Sequence, residues 1–127
     1  MQDIDGSILQ TTKKLLGISP DDDAFDMDVI FAINSAFDRL NTLGIGPDEG
    51  FRIADDTAAW SDYLYDGKIL DSVKTYVYFK TRLVFDPPTS SFVLESMNKQ
   101  IAELEFLFIV KSDSVMVKNQ EDRKSVV

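Results

Sequence analysis

The chain contains no cysteine and no histidine. The first absence excludes disulfides and thiolate metal ligands. The second removes the usual zinc ligand, the commonest general base and every Ser-His or Cys-His dyad. Bases are scarce beside acids, 13 against 22, for a formal net charge of −9. Such a surface repels nucleic-acid phosphates and anionic headgroups, so neither nucleic-acid grip nor membrane adhesion is expected. No segment approaches the roughly 18 apolar residues of a membrane span. The opening Met1-Gln-Asp-Ile-Asp5 has no basic flank or apolar run, unlike a signal peptide. These absences lead us to expect a soluble protein made in a reducing cytoplasm. Glycine (6) and proline (4) are also few, so each marks a break in the chain.

What is present is enough for one domain with a real core: 127 residues, 44% of them apolar. Charge is unevenly spread. Residues 1–110 hold 19 acids and 9 bases, whereas residues 111–127 hold 3 and 4. We therefore divide the chain into a helical domain, 1–110, and a C-terminal tail, 111–127, flexible until docked on a partner. In the tail only Val115, Met116 and Val117 could anchor anything.

The pattern is all-α: a small bundle of about five helices with a long central helical hairpin and an extended C-terminal tail. Ser7 to Leu16 reads as a short helix ended by Gly17. Phe25, Val29, Ile33 and Phe37 recur every fourth residue, with Ala32, Ala36 and Leu40 alongside, giving an amphipathic helix from about Asp23 to Leu43. Gly44 and Gly46-Pro47 stop it, and a loop runs to residue 56. Asp56 or Thr57 is placed to cap a short third helix through Trp60 and Leu64, broken at Asp66-Gly67. A fourth helix, Lys68 to Phe85, is apolar on a broad face. The run Asp86-Pro87-Pro88 forces a stop, since proline lacks a donor and disfavours helix in the residue before it. Thr89, Ser90 and Ser91 offer caps for a fifth helix, Ser91 to Val110. Leu94, Met97, Ile101, Leu104 and Phe108 form its seam against the fourth. Phe106, Leu107, Ile109 and Val110 lie partly off that seam and imply a second contact surface.

Four features invite a chemical reading, and each has a plainer one. Asp21-Asp22-Asp23 with Asp26 and Asp28 resembles a calcium loop, but Asp26 stands where the glycine belongs and Ala32 where the last glutamate belongs. Acids at the positive end of a helix account for it better. Gly44-Ile-Gly46-Pro-Asp-Glu-Gly50 has no lysine and sets two carboxylates where a phosphate would sit. Asp55, Asp56 and Asp62 around Trp60 could flank a sugar as a carboxylate pair, although capping explains them. Tyr63, Tyr65, Tyr76 and Tyr78 lack the basic stripe that base stacking requires. No enzyme, metal site or cofactor site emerges.

The segments Gly44-Ile-Gly-Pro47, Gly50-Phe-Arg-Ile53, Thr57-Ala-Ala-Trp60 and Leu64, followed by Val73-Lys-Thr-Tyr-Val-Tyr78 and Leu83-Val-Phe-Asp-Pro-Pro-Thr-Ser-Ser-Phe-Val-Leu94 with Met97, resemble the head-tail connector (adaptor) proteins of tailed phages and prophages of Gram-positive bacteria. The likeness covers about residues 5–110. It implies a mostly helical subunit in a ring beneath a twelve-fold portal. That ring extends the DNA channel and carries the stopper or tail-completion protein, and genomic DNA passes through without sequence-specific binding. It places the chain in the virion neck, with a C-terminal segment that docks on the portal protein through Val115, Met116 and Val117. We expect helices two, four and five to form the core and the Gly44–Asp56 loop to project to a neighbouring subunit. Expected ring contacts are Phe51, Arg52, Ile53, Trp60, Phe106 and Ile109, and Asp86, Pro87, Pro88 and Ser91 form the structural corner. The alternatives are another small virion assembly protein, for tail completion or head closure, and a carboxylate hydrolase built on Asp55, Asp56 or Asp62.

Overall fold

The computed structural model describes residues 6–64 and 67–125, with backbone alone beyond residue 113. Five helices occur among them: α1 (Ile8–Leu16), α2 (Asp26–Thr42), α3 (Trp60–Tyr63), α4 (Gly67–Phe85) and α5 (Ser91–Ser125). The all-α bundle agrees with the sequence reading. The differences concern where helices begin and end, and which of them build the core.

Ser7 caps α1 by accepting the Gln10 N–H at 3.2 Å, and Gly17 ends it in the left-handed region at φ 81°. Ile8 and Leu9 are fully buried, and α1 packs on both α2 and α4. A core of helices two, four and five alone is therefore too small a description. Lys13, in the middle of α1, is only 1% exposed. Its ammonium lies 2.8 Å from Asp26 Oδ1 and donates to the carbonyls of Asp22 (2.8 Å) and Pro20 (3.4 Å). The chain turns around this cation, so residues 20–23 are not helical and α2 starts at Asp26 instead of Asp23.

The buried stripe of α2 is Val29, Ala32, Ile33, Ala36, Phe37 and Leu40. Its small alanines let α4 come close, and α2 with α4 is the most extensive helix pair. Phe25 keeps the spacing but precedes the helix, lying edge-on to Phe85 at 5.4 Å. The third helix is shorter than expected and is not capped by Asp56 or Thr57. Ile8 N–H donates to the Ala58 carbonyl and Trp60 N–H to that of Gly6, both at 3.0 Å. This bridge between Ser7 and Ala59 keeps residues 58–59 extended, so helix cannot begin before Trp60.

Val73, Tyr76, Val77 and Thr81 of α4 are fully buried, confirming it as the central helix. Met97, Ile101 and Phe108 form the buried seam of α5, with Leu94 and Leu104 partly covered. Phe108 meets Tyr76 edge-to-face at 5.4 Å. Each such fully buried large side chain contributes about 1.5–3 kcal/mol. Beyond Val110 the backbone of α5 stays helical to Ser125, where the sequence suggested a tail without structure of its own. No glycine or proline occurs after Pro88, so nothing in the covalent chain stops the helix.

Candidate assembly surfaces

The Gly44–Asp56 loop is bound to the body instead of projecting from it. The Asn34 amide grips Ile53 on both sides, donating to its carbonyl at 3.0 Å and accepting its N–H at 2.8 Å. Phe51 lies 5.1 Å from the rings of both Phe37 and Tyr63. The Trp60 indole donates to the Thr11 hydroxyl at 2.9 Å, and the Tyr63 hydroxyl to the Ile45 carbonyl at 3.3 Å. Burial pushes the Tyr63 phenol above its ordinary range. Ile53 and Trp60, both 4% exposed, are thus core residues of the subunit itself, and Phe51 is half-buried with them. Of the expected contacts here only Arg52 stays on the surface, 2.7 Å from Asp38. Phe, Trp and Ile in a glycine-punctuated loop suit an interface and a core equally well, and sequence alone does not separate the two.

The other two expected contacts stand out on α5. Phe106 is 70% exposed and Ile109 is also exposed, flanked by Leu107 and Val110. They share the outer side of the helix whose inner side holds Phe108. On α2, Met27 (85% exposed) and Phe31 stand one turn apart on another unpartnered face. Large apolar groups grouped like this are characteristic of contact surfaces.

A polar network fixes the helices that carry these faces. Glu105 of α5 accepts the Tyr76 hydroxyl of α4 at 2.6 Å and the Arg39 guanidinium of α2 at 3.5 Å. Partial burial alone would raise the Glu105 pKa. The Tyr76 hydroxyl, Arg39 and Lys80 outweigh it and hold the carboxyl below its ordinary value. Burial, then the Glu105 carboxylate, pushes the Tyr76 phenol upward.

The corner forms as its residues predict. Asp86 N–H donates to Arg82 at 2.9 Å as α4 ends, Pro87 and Pro88 break the helix, and α5 opens at Ser91. The cap comes from Ser90, whose hydroxyl accepts Val93 N–H at 3.4 Å. Phe92 and Val93 are left exposed at this end. At the opposite end the backbone of α5 continues to Ser125, and residues 114–125 make up its C-terminal arm. The side chains of Val115, Met116 and Val117 lie outside the described residues.

The three acids around Trp60 all have structural partners. Asp55 accepts Thr57 N–H at 2.9 Å, and its hydrogen bonds from Thr57 lower its pKa. Asp56 accepts the Gln10 amide at 3.3 Å, and Asp62 accepts Ala59 N–H at 2.8 Å at the start of α3. Asp55 and Asp62 serve their own turns, while Asp56 ties the loop to α1. In the Asp21–Asp28 turn the cation is the chain's own Lys13. The described residues hold no metal-binding group of acids and no helix long and apolar enough to cross a membrane. Lys13 escapes sequence reasoning because a lysine beside Lys14 reads as solvent-facing.

No curated protein and no solved structure matches the chain. A helical body with unpartnered apolar faces and a long C-terminal helix suits assembly. Residues 8–115, from the first residue of α1 into the arm, match the model of a family described as phage connector protein, and the chain belongs to that family, as a structural component of a phage virion that associates with other head or tail proteins.

Proposed function

We propose that the chain forms one ring layer in the neck of a tailed phage, between the portal and the stopper or tail-completion protein. The ring is twelve-fold on the portal and extends the channel through which the genome passes. The exposed α5 face around Phe106 and Ile109 carries this reading, because family membership supplies siblings to cover it. A ring needs heterologous contact, one face of a subunit on a different face of the next. The α2 face at Met27 and Phe31 is a second surface of the right kind. The arm supplies the portal contact through Val115, Met116 and Val117. The net charge of −9 suits a conduit along which DNA slides without adhering. A lumen lined with lysine and arginine would contradict that last point. The host is a Gram-positive bacterium, in whose cytoplasm the neck assembles.

The test is to mix purified chain with purified portal and image the product. We expect a ring on one portal face. Deletion of residues 111–127 should leave the fold intact, since Phe108 is the last core residue among those whose side chains are described, and should abolish attachment. Unchanged attachment of the truncated chain would refute the docking role. Capsids lacking the protein should be filled heads that leak DNA and carry no tail. Complete tails on such heads would exclude a neck position.

A further inference from the structure

We propose that Gly44 is a positioning residue for the arm: the loop after α2 forms a notch that seats α5 at Ser112 and sets the direction in which the helix leaves the body. Gly44 ends α2 in a left-handed cap at φ +88°, with Ile45 N–H returning to the Leu40 carbonyl at 2.9 Å. That alone would favour glycine. The surroundings add a second demand, because a Cβ built on Gly44 would lie 2.9 Å from Ser112 Cβ and closer still to its hydroxyl oxygen. Ser112 is four residues past Phe108, the last buried residue among the described side chains of α5. The notch thus lies beyond the buried seam, just before the arm. Gly17 supplies a natural control. It caps α1 at φ +81°, yet a Cβ there would meet nothing within 4 Å. The two glycines share the backbone demand and differ only in the close approach. This role for Gly44 holds whatever the arm binds.

The size of the effect follows from helix geometry. Restoring normal carbon contact distances of about 3.5–4.0 Å requires Ser112 to move by about 1 Å. Ser112 is roughly 6 Å beyond the Phe108 pivot and residue 119 roughly 16 Å, at about 1.5 Å per residue. The lever turns a 1 Å displacement into about 3 Å at residue 119. Because the chain has no cysteine, spin labels can be placed uniquely at Ser35→Cys on α2 and Asn119→Cys on the arm. Pulsed dipolar spectroscopy on the full chain then reads their separation.

We expect Gly44→Ala to shift or broaden the distribution by about 3 Å, on the lever above. Ser112→Leu, which overfills the notch from the other side without touching a left-handed residue, should do the same. Adding Ser112→Gly to Gly44→Ala should restore the wild-type distribution. Gly17→Ala should leave it unchanged. The proposal is overturned if Gly44→Ala and Ser112→Leu both leave the separation as it was. It is also overturned if Gly17→Ala moves it equally, if Ser112→Gly fails to restore it, or if the wild-type distribution is already as broad as that of Gly44→Ala. Should Gly44→Ala not fold, Ser112→Leu alone decides.

Discussion

Lys13→Met offers a sharp test of how the first helix is held. The substitution keeps most of the aliphatic stem and removes the ammonium, leaving Asp26 and two carbonyls of the turn without their donor. Breaking a buried ion pair by removing one partner costs about 3–5 kcal/mol. Asp26 retains 28% of its side-chain exposure and can partly rehydrate, so the low end, about 3 kcal/mol, is expected. In a domain of this size that corresponds to a fall in Tm of about 10 °C. Circular dichroism at increasing temperature, or in urea, measures it. Lys99→Met, on the exposed side of α5, should stay within about 0.5 kcal/mol of wild type. A cycle with Asp26→Asn should return a coupling of about 1–3 kcal/mol. A Lys13→Met protein as stable as Lys99→Met, or a cycle with no coupling, would show that the turn is not organised around the cation.

The remaining expectations concern the network, the loop and the outer face. Glu105→Gln should destabilise most near neutral pH. The folded carboxyl is held below its ordinary value, so its contribution exists above the unfolded pKa of about 4.5 and disappears as pH falls through the folded one. Wild-type and variant urea midpoints should therefore converge in acid, and a constant gap down to pH 2 would contradict the network. Ile53→Ala should cost about 2–4 kcal/mol as a core truncation, whereas Arg52→Ala, removing an exposed pair, should cost under about 1 kcal/mol. Equal effects in denaturation would return the loop to the surface. Phe106→Ser with Ile109→Ser should leave the thermal midpoint within a few degrees of wild type while preventing ring formation on the portal, as seen by electron microscopy; rings of normal size would exclude this face as the contact.

Much of this fold is legible because its helices repeat simple spacings. Val29, Ile33 and Phe37, and Met97, Ile101 and Phe108, form buried stripes where periodicity places them. The proline corner is equally local, decided by residues 86–91. What escaped depends on distant partners. Nothing near Ala59 announces that its neighbours pair with Gly6 and Ile8, and so local signals predict a longer third helix than the one that forms. Nothing near Ile53 shows that Asn34 will hold its backbone. The end of α5 is hard to read for another reason: apolar content drops after Val110, although no residue there breaks a helix. Of the expected contact residues, Phe106 and Ile109 were identifiable as surplus to a seam, while Ile53 and Trp60 were absorbed by a core that sequence could not outline.

The pairing of residues 6–8 with 58–60 imposes an order on synthesis. A nascent chain exposes Ile8 and Leu9 from the start, but their partner segment is translated about fifty residues later, and closing so long a loop is slow compared with forming a helix. Until Trp60 has left the ribosome, the beginning of the protein is sticky and unfinished. A product cut short before that point would keep Ile8 and Leu9 uncovered, without the segment that closes over them.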